Sequence, residues 1–215
     1  MKLKVNQVSS SDQSRRRPGG RTADVTARVH RAISELLVEG GPEACTFAAI
    51  AEHAGIERST LYRRFPDRWE AIIETLLERA RMDVMPDLGA SFAEDLTSVL
   101  RKLVEALESP FGPALLRVAA ELRARADVEN SRAYFDVRMS QLEPMFEAAI
   151  ARGELAADTD REALFTAAAG PVYFRMFIAG RRVDEDFIHS TVSKVCWLYC
   201  SPSAAAKLSL PARMA

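Results

Sequence analysis

Residues 46–65 read TFAAIAEHAGIERSTLYRRF, and the expected fold follows from this segment. Its spacing predicts two short helices joined at Gly55, because helices often end at a residue with positive φ, which glycine adopts at little cost. Thr46 is placed to cap the first helix. Pro66 ends the second, since the residue before a proline avoids helical backbone angles. This is the layout of a helix-turn-helix, whose second helix enters the DNA major groove.

The second predicted helix carries side chains suited to DNA. Hydroxyl groups suit phosphate oxygens, whereas arginine suits either a phosphate or the O6/N7 edge of guanine. The residues that we expect to contact DNA on this basis are Thr46, Arg58, Ser59, Thr60, Tyr62, Arg63 and Arg64. An ordinary surface hairpin with exposed arginines fits the spacing equally well.

Positive charge is concentrated in the same segment. The 215 residues carry a formal net charge of −1. Residues 1–80 contain 13 Lys and Arg against 11 Asp and Glu, and residues 81–215 contain 16 against 19. Within 58–68, four arginines stand against one aspartate. The positive field is therefore local, as a helix that reads a DNA groove requires.

The segment from Ala23 to Ile73 resembles the N-terminal domain of the TetR family of one-component bacterial transcription regulators. The matching elements are Gly40-Gly41, Thr46-Phe47, Ile50-Ala51, Ala54-Gly55-Ile56, Thr60-Leu61-Tyr62, Phe65-Pro66 and Asp67-Arg68. In that family the tyrosine and the basic residue after the phenylalanine usually contact phosphates. The resemblance thus implies phosphate contacts for Tyr62 and Arg68, while Glu57 departs from the Ser or Gly common at its position.

Composition favours an all-α protein of two parts. The chain is 48% hydrophobic, with 10 Gly and 10 Pro, and has no long run of alternating β-branched residues. It also lacks the roughly 18 consecutive apolar residues that a membrane helix needs. We expect an arm over 1–20, a three-helix helix-turn-helix domain over 21–68, a larger helical ligand-binding and dimerisation domain over 69–200, and a flexible tail over 201–215. Three cysteines without a disulfide framework fit the cytoplasm.

The N-terminal arm has two interpretations. Residues 1–20 are polar and contain too little apolar surface to fold alone. Arg15, Arg16, Arg17 and Arg21 are placed to reach the DNA backbone or minor groove. A solvated tail fits the composition equally well.

Apolar periodicity predicts helices throughout the rest of the chain. Their expected ranges are about 23–39, 92–107, 111–126, 129–152, 160–179 and 184–199, with a capping box at Thr159 and Glu162 for the fifth. A further helix opens at Asp67, begins in the DNA-binding head and ends in the body. We expect this shared helix to carry signals between the two parts.

The C-terminal half resembles the body domain of one TetR subgroup, through residues 151–155 and 170–175. The resemblance implies a two-fold dimer interface formed by the last two helices. The first of them is apolar nearly all round, so it must be buried on two faces, and two-fold association would bury the second face. The interface residues that we expect are Ala168, Val172, Phe187, Val192 and Val195.

The resemblance also implies a ligand pocket in the body. Flexible and aromatic side chains line adaptable apolar cavities. We expect Trp69, Phe92, Phe111, Met139, Phe146, Tyr173, Met176 and Phe177 to line it, with Tyr134, Tyr173, Arg138 and Arg175 as candidate polar members. A plain hydrophobic core is the alternative for each of these residues.

Motifs for other chemistry are missing from the sequence. There is no GxSxG, P-loop or GxGxxG motif, and His30, His53 and His189 lack metal-ligand spacing. Cys196 and Cys200 stand one helical turn apart, where small hydrophobic side chains at a dimer seam are a better interpretation than a metal or oxidant site.

These observations predict a regulator rather than an enzyme, without a cofactor or metal. We expect a homodimer that binds double-stranded operator DNA and a small apolar or amphipathic effector, with no membrane partner. A repressor is the first interpretation and an activator of the same fold is the second. A helical ligand-binding protein or enzyme with an incidental hairpin is the alternative from another class.

Overall fold

The computed structural model describes residues 19–83 and 86–205. This part of the chain is helical and contains no β-strand, which confirms the predicted all-α class. Arg15, Arg16 and Arg17 of the expected arm lie outside the described residues. The first helix already begins at Gly19, so the backbone of Arg21 belongs to that helix and not to an arm.

Ten α-helices form the described part of the chain. They are α1 Gly19–Gly40, α2 Phe47–Ala54, α3 Arg58–Arg64, α4 Arg68–Asp83, α5 Phe92–Glu108, α6 Phe111–Ala124, α7 Val128–Ala151, α8 Arg161–Tyr173, α9 Glu185–Tyr199 and α10 Pro202–Ala205. A 3-10 turn over Pro42–Ala44 precedes α2, and a π-helical turn over Phe174–Ile178 extends α8 beyond Tyr173. The short α10 lies in the region expected to be a flexible tail.

Side-chain caps fix where several of these helices begin. The Asp67 carboxylate accepts hydrogen bonds from the backbone N–H of Trp69 at 2.7 Å and of Glu70 at 3.1 Å, as its position before α4 predicts. At α8 the predicted capping residue is wrong. Asp160, not Thr159, caps the helix by accepting from the backbone N–H of Ala163 at 2.9 Å. Both residues are good caps, and the helix begins one residue later than the box implied.

The core divides into two clusters. The head cluster joins α1–α4 with one face of α6 and includes Ile33, Leu37, Ile50, Leu61 and Ile72. The body cluster joins α5, α7, α8 and α9 and includes Phe92, Leu100, Phe146, Leu164 and Val192. Because α6 contributes Phe111, Val118 and Leu122 to the first cluster, it packs against the DNA-binding head, although the sequence placed it in the body.

The helix α4 links the two parts, as expected. Ile72, Ile73 and Leu76 are buried in the head cluster, and α4 also packs against α7 of the body. Within the described ranges, no helix is long and apolar enough to cross a membrane.

Candidate nucleic-acid interface and effector cavity

The turn between α2 and α3 has the geometry that the sequence predicts. The Thr46 hydroxyl oxygen accepts a hydrogen bond from the backbone N–H of Ala49 at 3.1 Å and so caps α2. Gly55 adopts φ 60° and ψ 46°, the left-handed conformation that favours glycine. The backbone N–H of Ile56 donates a hydrogen bond to the carbonyl of Ala51 at 3.0 Å and so caps the C-terminal end of α2. The pair forms a helix-turn-helix.

Buried contacts set which face of α3 turns outward. Leu61 and Phe65 are buried in the head cluster. The ring of Tyr62 meets the ring of Phe47 edge-to-face at 4.8 Å. Arg28 of α1 donates to the carbonyls of Ala54 at 3.1 Å and Gly55 at 3.3 Å, where a cation complements the negative end of α2. These contacts hold α3 on the head with its polar face outward.

The outward face of α3 carries the side chains that remain available for DNA. Arg58, Ser59 and Arg63 are exposed, and Tyr62 is 66% exposed. Neither Arg58 nor Arg63 makes an ion pair or hydrogen bond with another described residue. Thr60 is half-buried beside them. We call Arg58, Ser59, Thr60, Tyr62 and Arg63 the α3 reading face. Thr46 is exposed at the start of α2, where its hydroxyl oxygen caps that helix.

Arg64 differs from Arg58 and Arg63, because its guanidinium is bound within the head. Its guanidinium donates to the Thr26 hydroxyl of α1 and to the Glu74 carboxylate of α4. It also lies 5.0 Å from the centre of the Phe65 ring. One helical step beyond Arg63, the side chain points back toward the head and braces α3 against two neighbours.

Arg68 is also bound within the head. Its guanidinium donates to the carbonyl of Pro42 at 3.1 Å and to the Glu43 carboxylate at 3.2 Å. It therefore ties the start of α4 to the turn before α2. The phosphate contact that the family resemblance implies would compete with Glu43 for the same guanidinium.

Trp69 is not a pocket residue. It is 5% exposed in the head cluster, with the Arg68 guanidinium 5.5 Å and the Arg125 guanidinium 4.9 Å from its ring centre. Arg125 follows the last residue of α6. The indole therefore lies where α4 and α6 meet the head, and its aromatic character serves packing between them.

Two adjoining cavities lie beside α4 in the body and share Leu76, Leu115, Tyr134 and Tyr173. The apolar chamber, of about 320 Å³, is lined by Ile73, Leu76, Leu77, Leu115, Leu116, Val118, Ala119, Leu122, Asn130, Tyr134, Phe135 and Tyr173. The charged chamber, of about 490 Å³, includes Arg79, Asp87, Lys102, Glu105, Phe111, Tyr134, Arg138 and Tyr173. Both volumes are typical of small-molecule sites.

The sequence predicted the lining of these chambers only in part. Tyr173 and Tyr134 line both chambers, as predicted. Phe111 and Arg138 line the charged chamber. Phe92 instead lines a separate cavity next to α9. Phe146 is fully buried in the body cluster, whereas Met139, Met176 and Phe177 are half-buried, pack against that cluster and line neither chamber. Arg175 is turned away, because it donates to the carbonyl of Arg182 at 2.6 Å.

Leucines of α6 were the residues that sequence reasoning missed. Leu115 and Leu116 line the apolar chamber together with Val118, Ala119 and Leu122 of the same helix. Leu115, Val118 and Leu122 recur at helical spacing, so the apolar stripe of α6 was the available signal.

Four of the five expected dimer residues are wrong, because the protomer itself buries them. Ala168, Val172, Val192 and Val195 are at most 3% exposed within the body cluster. Phe187 is half-buried, with the Arg175 guanidinium 4.5 Å from its ring centre. Other apolar side chains are exposed, namely Phe174 at 62% and Ile178 at 73% after the end of α8, and Trp197 at 59% and Leu198 at 61% near the end of α9. We call these four together the exposed apolar face.

The three cysteines are unpaired thiols. Burial raises the pKa of Cys45 to about 12, against a smaller opposite effect of the Arg68 charge. A hydrogen bond between Cys196 and Cys200 raises the pKa of Cys196, which is also buried, and lowers that of Cys200. Cys196 belongs to the body core rather than to an exposed seam.

Two family models match the sequence. The model described as "Bacterial regulatory proteins, tetR family" matches residues 31–74. The model described as "Tetracyclin repressor-like, C-terminal domain" matches residues 85–195, just over half of the chain. The matches cover the helix-turn-helix and the helical body respectively.

Similar proteins agree with these matches. The uncharacterized HTH-type transcriptional regulator YdeS of Bacillus subtilis (strain 168) is 29% identical over 171 residues, 76% of this chain and 85% of YdeS. The HTH-type transcriptional regulator AqdR of Rhodococcus erythropolis is 28% identical over 190 residues, 87% of this chain and 91% of AqdR. The crystal structure of the TetR family transcription regulator SCO0332 shares the fold, with a TM-score of 0.67 and 23% identity over 83% of this chain and all of that one. The chain belongs to the TetR family of bacterial transcriptional regulators.

Proposed function

We propose that this protein represses transcription by binding a palindromic operator as a homodimer, and that a small molecule in the cavity beside α4 releases it. The observation that carries DNA recognition is the α3 reading face. Arg58 and Arg63 project from it beside Ser59 and Tyr62, and neither arginine is bound to another described residue. Exposed guanidinium groups on a helix of this size suit guanine edges and phosphates.

The exposed apolar face supports the homodimer. Phe174 and Ile178 lie one turn apart beyond α8, and Trp197 and Leu198 are adjacent on α9. Large side chains this exposed mark surfaces that associate. A second copy of the chain would cover them through a two-fold axis. Two linked heads would then meet half-sites about one DNA turn, roughly 34–36 Å, apart.

The cavity supports a response to a small molecule through α4. Ile73, Leu76 and Leu77 of this helix line the apolar chamber. The same helix begins at Arg68, which is bonded to the turn before α2. An occupant of the chamber therefore contacts the helix that carries the head. The protein leaves the DNA if the occupant binds more tightly to a dimer conformation in which the two DNA-binding heads are not spaced to match the half-sites.

Repression requires no protein surface beyond the DNA-binding one, because a dimer bound over a promoter excludes RNA polymerase from it. The test uses purified full-length chain and the DNA upstream of its own gene. We expect a shifted complex that survives excess non-specific competitor and a lower transcript yield in a reconstituted reaction. A higher yield would identify an activator. The absence of selective binding to this DNA and to promoters of neighbouring genes would contradict DNA recognition.

A further inference from the structure

The charged chamber contains more cationic than anionic side chains. Arg79, Lys102 and Arg138 line it against Asp87 and Glu105. Lys102 and Asp87 pair with each other at 2.7 Å. The guanidinium of Arg79 lies over the ring of Phe111, 4.2 Å from its centre. The remaining cation, Arg138, is therefore the important one for a ligand.

Arg138 is half-buried on α7 and forms no ion pair or hydrogen bond with another described residue. A charge that is partly removed from water is costly unless a counter-charge or hydrogen bond compensates it. Its neighbour in the chamber is Tyr173. Burial raises the pKa of the Tyr173 phenol and the charge of Arg138 opposes that rise, so the phenol keeps its proton near neutral pH. The chamber thus offers a guanidinium and a hydroxyl donor side by side.

The apolar chamber adjoins this donor pair. Nine aliphatic or aromatic hydrocarbon side chains line it, and its polar members are Asn130 and the hydroxyl groups of the two tyrosines that it shares with the charged chamber. A ligand that spans both chambers therefore meets hydrocarbon at one end and positive charge at the other.

From this arrangement we infer that the cavity binds an amphiphilic carboxylate. Its hydrocarbon part fills the apolar chamber, and its carboxylate lies in the charged chamber against the guanidinium of Arg138 and the hydroxyl of Tyr173. The inference rests on the proposed function, since it names the ligand class of the same cavity.

Other ligand classes fit this arrangement less well. An ammonium group would meet the cations Arg79 and Arg138, and of the two lining carboxylates Asp87 is already paired with Lys102, which leaves Glu105 alone to attract it. A neutral alcohol would leave the Arg138 guanidinium without a counter-charge. A carboxylate supplies that charge, and its two oxygens match the planar donors of arginine.

Calorimetric titration of the full-length protein with three probes of equal chain length tests the inference. The probes are decanoate, decanol and decylamine, each below its aggregation concentration at neutral pH. We expect decanoate to bind roughly tenfold to hundredfold more tightly than decanol, the range for a hydrogen bond to a charged group. Decylamine should bind most weakly. Equal affinities for decanoate and decanol would overturn the inference.

Variants of α7 locate the preference on one side chain. Arg138→Gln should remove the preference for decanoate over decanol, and Arg138→Lys should keep part of it. The control is Arg132→Gln on the same helix, because Arg132 is exposed, pairs with Asp136 at 4.0 Å and lines neither chamber. An unchanged preference in Arg138→Gln would contradict the inference.

If Arg138→Gln fails to fold, Ala119→Phe tests whether the probes bind in the apolar chamber. It should weaken all three probes alike, and unchanged affinities would exclude this cavity.

An operator shift assay with the same probes separates the inference from the proposed function. If decanoate binds through Arg138 but leaves the protein on DNA, the carboxylate site stands and release by this ligand class fails. If decanol or decylamine releases the operator while decanoate does not bind, the regulatory response stands and the inference is wrong.

Discussion

The helices α3 and α9 each have one buried and one exposed face, but the chemistry of the exposed faces differs. On α3 the exposed face carries Arg58 and Arg63, and on α9 it carries Trp197 and Leu198. A cationic and polar face fits a polyanion, whereas an apolar face fits a second apolar surface. This difference supports our proposal that α3 contacts DNA and that α9 contacts a second protomer.

The largest expected effect separates the two faces of α9. Val192→Asp should unfold the protein, because it places an unpaired carboxylate at a site that is 3% exposed, at a cost on the order of 3–5 kcal/mol. Trp197→Asp should leave the protomer folded but monomeric, since the indole is exposed. Thermal unfolding and light scattering measure the two outcomes.

The Trp197→Asp monomer should also lose most of its operator affinity, because only one half-site can then be bound at a time. The recognition helix is untouched in this variant. A Trp197→Asp protein that stays dimeric would contradict the assignment of the exposed apolar face to a second protomer.

The next effect compares two neighbouring arginines of α3. Arg63→Ala should weaken operator binding by about 1–3 kcal/mol if the contact is to a base, with an unchanged melting temperature. Arg64→Ala should instead reduce the free energy of unfolding by about 0.2–1 kcal/mol, because it removes a partly exposed ion pair to Glu74. Fluorescence anisotropy with labelled operator and thermal melts separate the two. Equal losses of DNA affinity, with both proteins equally stable, would contradict the internal role of Arg64.

A smaller effect tests whether Arg68 exchanges Glu43 for a phosphate. Arg68→Ala should lower the salt dependence of operator binding by about one charge. Glu43→Gln should strengthen binding at low salt by at most about 1 kcal/mol, because it frees the guanidinium from a surface ion pair. Affinities over a salt series measure both changes. If Arg68→Ala lowers only stability, the guanidinium serves the fold alone.

The smallest effect concerns the thiols. A thiol reagent at neutral pH should modify Cys200 first, because its lowered pKa and partial exposure favour the reactive thiolate. Up to pH 9, Cys200 should react much faster than Cys45 in the folded protein, because the Cys45 thiol, whose pKa is about 12, stays almost entirely protonated. Mass spectrometry of the labelled sites follows both rates. Faster labelling of Cys45 in the folded state would contradict its burial.

The same comparison explains which parts the sequence could predict. In the head, local signals fix the structure, because Thr46, Gly55 and Asp67 each act on their own helix end through backbone geometry. These predictions are confirmed. The internal bonds of Arg64 to Thr26 and Glu74 were not predicted, since they join residues that are distant in sequence.

In the body, tertiary packing decides more than local pattern does. Both faces of α9 carry apolar side chains, so periodicity alone does not identify the inward face, and Val192 and Val195 were assigned to the wrong side. Tertiary packing also determines which side chains line the cavity. Tyr173 was predicted, whereas Leu115 and Leu116 depend on how α6 is shared between head and body.

Selection of DNA from a random-sequence library by the full-length protein would show whether a dimer reads DNA through α3. We expect enrichment of an inverted repeat whose half-site centres are about 10–10.5 base pairs apart, or a multiple of that spacing. Arg63→Ala should relax the selected sequence at one position of each half-site. No enriched sequence, or a single half-site without a repeat, would contradict a dimer that reads DNA through α3.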